Sequence, residues 1–330
     1  MFNRWAKFGA DPASTLYNPA PVQARANGFP IPPLVSPHGQ STETLRPARD
    51  SAMRRLDSLQ LVFIVGPSKC GTSWVQTTFD GHPNAVSWAE GAFASWLGPG
   101  LRRAVEAFNT NHARAKYRHE FTLTDDDLAS LTRHAYDLVL SKYLASAKPG
   151  EELLAIIDKT PTHAFHVREL AELYPSAKFI LVTRDPRDAA VSWWHFMHFQ
   201  GKPRYDTIEA CAEAYAAMWG DIVATVRSAS LGERLTEITY ESYKADPRAE
   251  VRRLLTFIGL PATDHHVNLC LTAGDFARQT RGRQPGHEAR SFHRKGVVGD
   301  WNNHLSKELG ERVMRVAMER TAIAQHPSPP

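Results

Sequence analysis

The fold is decided by residues 61–74, which read LVFIVGPSKCGTSW. The apolar run at residues 61–65 predicts a strand that is buried on both faces, because it carries no polar residue. A glycine-containing turn follows, and the residues after it predict a helix from about residue 72 to residue 80. A strand, a loop and a helix in succession are typical of an α/β fold.

Three further strands are predicted along the chain. They are LLAII at residues 153–157, KFILVT at residues 178–183 and LTEIT at residues 235–239, and helix-like segments separate them. This alternation predicts an α/β domain with a mostly parallel central sheet flanked by helices. Ligands of such sheets bind at the carboxyl ends of the strands, where GPSKCGTSW, RDPRDAAVS and Tyr240 fall.

The loop GPSKCGTSW has the residue types of a phosphate-binding site. It precedes a helix, where unpaired backbone N–H groups and the helix dipole favour an anion. Lys69 adds a positive charge, Gly71 allows close approach of the backbone, and the Thr72 and Ser73 hydroxyls can donate hydrogen bonds to phosphate oxygens. The alternative is a tight turn with an incidental lysine.

The order of residues in this loop separates it from the Walker loop. A Walker loop reads G-x-x-x-x-G-K-S/T, with its lysine after the last glycine, whereas Lys69 precedes Gly71 here. A P-loop kinase or nucleotide hydrolase is therefore disfavoured, although it stays open as an alternative function. A catalytically inactive nucleotide-binding relative is the other alternative.

A second phosphate site is predicted in RDPRDAAVS, residues 184–192. Arg184 ends a strand and Ser192 follows eight residues later on the next helix, so the two side chains can grip one phosphate together. The alternative is an ordinary helix start that Asp185 caps.

Two more segments complete the pattern, ITYESYKADPRAEVRRLLTFIGLP at residues 238–261 and SFHRKGVVGDWNNH at residues 291–304. In the last segment Arg294 and Lys295 lie beside a flexible Gly296, so they can fold over a phosphate. Taken alone, this segment could also be a basic surface loop.

In this chain order, the four segments resemble the motifs of sulfotransferases that use 3'-phosphoadenosine 5'-phosphosulfate (PAPS). SKCGTSW resembles P-K-S-G-T-S/T-W, and the last segment resembles F-x-R-K-G-x-x-G-D-W-K-N-H. The resemblance covers about residues 61–304 and implies a P-loop-like sulfotransferase fold. It also implies in-line transfer of a sulfuryl group from PAPS to an acceptor hydroxyl, with release of 3'-phosphoadenosine 5'-phosphate (PAP).

The resemblance implies which residues bind the donor. In the 5'-phosphosulfate loop they are Lys69, Cys70, Gly71, Thr72, Ser73 and Trp74; at the 3'-phosphate and adenine they are Arg184, Ser192, Tyr240, Phe292, Arg294, Lys295 and Gly296. Two residues depart from the cytosolic pattern, Ser68 where proline is usual and Cys70 where serine is usual. Cys70 is expected to offer mainly its backbone N–H. Lys69 is expected to neutralise charge on the transferring group.

The catalytic base is the least determined residue. The cytosolic branch uses the histidine of K-T-H, but this chain reads DKTPTHAFH and has Pro161 at that position. The carbohydrate and tyrosylprotein branches use a glutamate that follows H-P, and here His82 and Pro83 precede Glu90. Glu90 is therefore the predicted base and His163 the alternative; a solvated loop acid is the other interpretation of Glu90.

The remaining predictions concern organisation and partners. Residues 1–55 are proline-rich and are predicted to form an N-terminal arm, followed by a sulfotransferase domain at residues 56–330. A net charge of +4 gives no reason to expect nucleic acid. No metal is expected. The short cytosolic dimerisation motif is absent after His304, so that dimer is not predicted.

Composition also bears on location and acceptor. Three widely spaced cysteines suit a reducing compartment, and no apolar stretch has the length of a signal peptide or membrane span, so we expect a cytoplasmic protein. The acceptor is expected to be a small-molecule alcohol or phenol, or a glycan. Residues 92–150 are expected to contribute to its pocket. Their Arg and His residues suit a glycan or an anionic compound, whereas Trp88, Phe93 and Trp96 suit an apolar one, so both classes stay open.

Overall fold

The structure is a computed structural model of the 330-residue chain. It describes residues 55–114, 121–144, 147, 152–289 and 291–323. The predicted N-terminal arm lies outside the described residues except for residue 55, so the arm and its boundary stay predictions.

A central sheet organises the described residues, and the prediction of an α/β fold is confirmed. Its strands are β1 Gln60–Val65, β2 Ala85–Ala89, β3 Ala155–Lys159, β4 Lys178–Thr183 and β5 Leu235–Thr239. They lie in the order β2-β3-β1-β4-β5, and every neighbouring pair is parallel.

Helices flank this sheet. In chain order they are α1 Thr72–Phe79, α2 Phe93–Arg114, α3 Asp125–Tyr143, α4 Val167–Leu173, α5 Pro186–Phe199, α6 Ile208–Arg227, α7 Tyr240–Ala245, α8 Pro247–Ile258, α9 Asp264–Ala273, α10 Phe276–Gln279 and α11 Lys307–Ile323. Short 3₁₀ helices occupy Pro161–His166, Gly232–Arg234 and Asp300–Asn303. Among the described residues, no helix combines the length and the apolar composition that crossing a bilayer requires.

β1 is the centre of the core. Val62 and Ile64 face a cluster formed with α1, α8 and α9, and all four residues from Val62 to Val65 are fully buried. On the opposite face, the Phe63 ring packs on Phe93 and Phe179. Burial on both faces explains why the run LVFIV contains no polar residue.

The structure differs from the sequence prediction at two strands. β2 was not predicted, because only Val86 of its five residues is buried and no apolar run marks it. β3 extends through Asp158 and Lys159, two residues beyond the predicted end, so the prediction at residues 153–157 was displaced. Both charged residues are buried in the strand, because Asp158 accepts a hydrogen bond from Tyr143 and Lys159 pairs with Glu90.

Gly66, which follows β1, is constrained by its neighbour. Its φ is 142°, and a Cβ at this position would overlap the backbone carbonyl oxygen of Val182. Gly66→Ala should therefore lower the free energy of unfolding by about 2 to 4 kcal/mol, through overlap and backbone strain together. Urea unfolding measures the change.

Gly259→Ala is the matched control, because Gly259 also has a positive φ of 93° but would place its Cβ in open space. It should cost only about 1 kcal/mol. Equal losses in the two variants would contradict the close approach at Gly66.

Candidate active site

Charged and aromatic residues lie at or just after the carboxyl ends of all five strands, at one edge of the sheet. The loop bearing Lys69 follows β1, Glu90 follows β2, Lys159 ends β3, Arg184 follows β4 and Tyr240 follows β5. Parallel strands bring their carboxyl ends to one edge, so residues far apart in the chain meet there. The carboxyl-end cluster predicted from GPSKCGTSW, RDPRDAAVS and Tyr240 lies at this edge.

The loop after β1 packs tightly against Tyr240. Gly71 has a φ of 98°, and a Cβ on it would lie 2.9 Å from Cδ2 of Tyr240, so only glycine fits. Thr72 and Ser73 begin α1, and their hydroxyls have no hydrogen-bond partner among the described residues. The start of this helix therefore offers unused donors to an anion.

The side chains of Cys70 and Trp74 pack against the residues that surround the loop. The Cys70 thiol is buried 3.7 Å from the Tyr215 hydroxyl, and burial raises its pKa to about 12. The backbone N–H of Cys70 lies 3.4 Å from the Pro67 carbonyl oxygen. Trp74 donates to the Gly274 carbonyl oxygen at 2.6 Å and packs edge-on against Tyr243 and Tyr240. All three cysteines, Cys70, Cys211 and Cys270, are free and buried.

Lys69 occupies an aromatic and cationic environment. Its Nζ lies 4.3 Å from the centre of the Phe196 ring and 4.2 Å from that of Phe292, and it donates to the Phe292 carbonyl oxygen at 3.3 Å. Burial lowers the pKa of Lys69 to about 8, and the charge of Arg184 acts in the same direction, whereas that of Glu90 opposes it. An ammonium in this position favours an added anion.

Glu90 lies in a strained segment and pairs with a buried lysine. Lys159 Nζ donates to Glu90 Oε1 at 2.8 Å, and the Glu90 N–H donates to the Lys159 carbonyl oxygen at 2.7 Å. The Lys159 side chain is 2% exposed but that of Glu90 is 62% exposed. Glu90 and Ala92 both have positive φ, 58° and 47°. Such strain in residues other than glycine often marks a functional site.

His163 lies in the core, away from solvent. Its Nε2 accepts the Ala94 N–H at 3.4 Å, and its ring packs edge-on against Phe93 and Phe63. Nδ1 is 3.0 Å from Asp158 Oδ1, without the angle of a hydrogen bond. Both ring nitrogens thus face the protein interior.

Arg184, which follows β4, lies on the opposite side of β1 from Glu90, which follows β2. The Arg184 guanidinium stacks 4.4 Å above the Tyr240 ring, and its Nη2 donates to the Val297 carbonyl oxygen at 2.8 Å. Its Nε is buried without a partner among the described residues. Ser192 is half-buried on α5. The orphaned Nε is a donor available to an anion.

The segment at residues 292–301 supplies two more cations. Arg294 pairs with Asp300 and Glu288, and Lys295 Nζ donates to Asp300 Oδ1 at 2.6 Å. Burial alone would raise the pKa of Asp300, but the hydrogen bonds from Lys295 and Arg294 hold that pKa below its usual range. Sequence reasoning gave Asp300 no role of its own, because its only signal was its place in the GDW triplet of the last motif.

This arrangement can hold a doubly phosphorylated ligand. Two groups of cations face the edge: Lys69 and Lys159 beside Glu90, and Arg184, which stacks on Tyr240 and contacts the segment of Arg294 at Val297. Unused N–H and hydroxyl donors at α1 add to the first group, and the orphaned Arg184 Nε adds to the second. A nucleotide with phosphates at two positions fits these groups and the aromatic residues between them.

Known proteins resemble this chain in sequence and in fold. The model of the family described as "Sulfotransferase family" matches residues 61–264. Cytosolic sulfotransferase 8 of Arabidopsis thaliana is 26% identical over 226 residues, 60% of this chain and 68% of that protein. Sulfotransferase 1C2 of Homo sapiens is 26% identical over 168 residues, 45% of this chain and 57% of that protein.

One solved structure shares the fold. It is a mouse sulfotransferase crystallised in complex with PAP, with a TM-score of 0.50 and 17% sequence identity over 83% of this chain and 91% of that chain. At this identity the likeness concerns the fold, which agrees with the predicted P-loop-like architecture.

The pair of Glu90 and Lys159 predicts coupled effects on stability. Among the described residues, Glu90 is the only acid that forms an ion pair with Lys159. Glu90→Gln therefore leaves a buried ammonium unpaired. We expect a loss of about 1 kcal/mol in the free energy of unfolding, less than for a fully buried pair because Glu90 faces solvent. Urea unfolding at pH 7 measures it.

In the Lys159→Met background the same Glu90→Gln change should cost nothing measurable, because no buried charge is left. Glu319→Gln is the control, since Glu319 pairs with Arg315 on the exposed face of α11, and it should change stability by less than about 0.5 kcal/mol. An undiminished cost of Glu90→Gln beside Lys159→Met would contradict the pairing.

Proposed function

The chain belongs to the sulfotransferase family, and we propose that it transfers a sulfuryl group from PAPS to an acceptor hydroxyl and releases PAP. The observation that carries the proposal is the meeting of Lys69, Glu90 and Lys159 beside the start of α1, with a second cationic group around Arg184. One end of this edge suits a phosphosulfate and the other suits a 3'-phosphate.

We assign the residues that would hold the donor from the four motifs together with these contacts. The Lys69 ammonium, the N–H groups at the start of α1 and the hydroxyls of Thr72 and Ser73 would bind the 5' side. Arg184, Ser192 and the segment of Arg294 would bind the 3' side, with Ser192 assigned from its motif alone, and Trp74 and Tyr240, whose rings pack on each other, would provide aromatic surface for the adenine. Bound PAPS supplies the activated sulfuryl group.

Lys69 and Glu90 would divide the catalytic work. Lys69 neutralises the negative charge that develops on the leaving phosphate. Glu90 takes the proton of the acceptor hydroxyl, and Lys159 keeps the Glu90 carboxylate in position. His163 stays a less favoured base because its Nε2 already accepts the Ala94 N–H inside the core.

Exposed aromatic residues favour an apolar acceptor over a charged glycan. Trp88 and Trp96, which flank Glu90 in the chain, are 46% and 58% exposed, and Phe292 beside Lys69 is 42% exposed. Trp88 stacks on Tyr143 at the end of β2. Exposed apolar surface around a reactive centre is typical of a site for an apolar ligand. We therefore favour a small-molecule alcohol or phenol.

A cytoplasmic location belongs to the same proposal. The three buried thiols are unpaired, and the Arabidopsis relative is named a cytosolic sulfotransferase. Both observations suit a reducing compartment.

A turnover assay with sulfur-labelled PAPS tests the function and the base together. Apolar alcohols and phenols should accept label more readily than glycans. With the best acceptor, Glu90→Gln should lower kcat at least about 100-fold, because general base catalysis contributes that much, while the affinity for PAP changes less than about threefold. His163→Gln should lower kcat less than about tenfold.

The opposite pattern, full loss in His163→Gln with near wild-type turnover in Glu90→Gln, would assign the base to His163. Absence of label transfer to every acceptor class by a protein that binds PAP tightly would instead favour the inactive relative.

Lys69 predicts how donor affinity depends on pH. Because PAP prefers the charged ammonium, binding raises the Lys69 pKa from its value of about 8 in the free protein and takes up a proton. Affinity for PAP should therefore be level from pH 7 to 8 and fall above pH 8, by up to about tenfold per pH unit. Calorimetric titration at several pH values measures this.

Lys69→Arg is the matched control, since arginine stays charged throughout this range. Its affinity for PAP should stay level to pH 9.5. An equal fall in both proteins would assign the pH dependence to another group.

A further inference from the structure

One buried carboxylate joins the two cationic segments of the 3' side. Asp188, in the first turn of α5, accepts the Gly299 N–H at 2.7 Å through Oδ2 and the Trp301 N–H at 2.8 Å through Oδ1. The same Oδ2 lies 3.5 Å from Arg184 Nη2. The Asp188 side chain is fully buried, so these contacts are not exchanged for water.

Asp188, Arg184 and the segment at residues 297–301 all contact one another. Arg184 Nη2 also donates to the Val297 carbonyl oxygen, two residues before Gly299. Segment 297–301 thus contacts both Arg184 and Asp188, and only Gly296 separates it from Arg294 and Lys295 in the chain. A shift of segment 297–301 would therefore change the position of Arg184 relative to Arg294 and Lys295.

We infer that Asp188 is a positioning residue that keeps Arg184 and the cations of residues 294–295 in the one arrangement that recognises a 3'-phosphate. Asp188 does not contact the ligand; it acts through Arg184 and through the backbone of segment 297–301. The inference rests on the proposed donor site, and it concerns a residue that the four motifs leave without a role.

Asp188 suits this role better than Asp300, a buried acid that lies within segment 297–301 itself. Asp300 contacts Arg294, Lys295, Asn303 and His304, which all belong to its own part of the chain. Asp188 is separated by 111 residues from Gly299 and by 113 from Trp301. Only a contact between distant segments can fix the position of one motif relative to the other.

The test compares PAP with AMP, which lacks the 3'-phosphate. In Asp188→Asn the amide oxygen can accept only one of the two N–H groups and the charge beside Arg184 is lost. Affinity for PAP should fall at least about tenfold while affinity for AMP changes less than about threefold, so the PAP/AMP affinity ratio falls. A role confined to folding would weaken both ligands equally.

Asp246→Asn is the control, because Asp246 accepts the Ala249 N–H at the start of α8, where asparagine caps equally well. Its PAP/AMP ratio should match wild type. A folded Asp188→Asn protein with the wild-type ratio would overturn the inference. Wild-type protein that binds PAP no better than AMP would instead overturn the 3'-phosphate site itself.

Hydrogen exchange in the wild type gives a second measurement that needs no substitution. PAP should slow exchange of the Gly299 and Trp301 amide protons further than saturating AMP does, because the 3'-phosphate fixes Arg184 and, through Asp188, these two N–H groups. Equal protection by both ligands would contradict the coupling.

Discussion

The parallel pairing of β1 with both β3 and β4 is the constraint on which the site depends. In this register Ile64 lies beside Lys159 and Val65 lies beside Leu181, so the three strands end at nearly the same level. The loop bearing Lys69 therefore emerges between Lys159 on one side and Arg184 on the other. Full burial of β1 makes the register costly to change, because a slip of one residue would exchange its two faces.

The cations gathered at this edge are held by a small number of carboxylates. Glu90 balances Lys159, Asp300 balances Arg294 and Lys295, and Asp188 faces Arg184. Lys69 has no carboxylate in direct contact among the described residues and lies between two phenyl rings. The number of carboxylates per cation differs along the edge, and the cation with the fewest, Lys69, is the one that we propose meets the transferring group.

Sequence reasoning located the segments after β1 and β4 more fully than the segment after β2. The residues of GPSKCGTSW and RDPRDAAVS follow buried apolar strands, and an apolar run is visible without knowledge of the fold. β2, which positions Glu90, was missed because it is a half-exposed edge strand with one buried residue. Asp188 and its partner Gly299 are 111 residues apart in the chain, and Lys159 and its partner Glu90 are 69 residues apart. No periodicity or spacing in the sequence predicts such contacts.

The central claim is that this edge holds a nucleotide through its 3'-phosphate and its 5' group, and thermal unfolding with PAP or ATP tests it most directly. At 100 times its dissociation constant, PAP should stabilise the protein by about 2.7 kcal/mol, seen as a higher Tm without added metal, whereas ATP at the same concentration should leave Tm nearly unchanged. Stabilisation by ATP and magnesium but not by PAP would contradict the account.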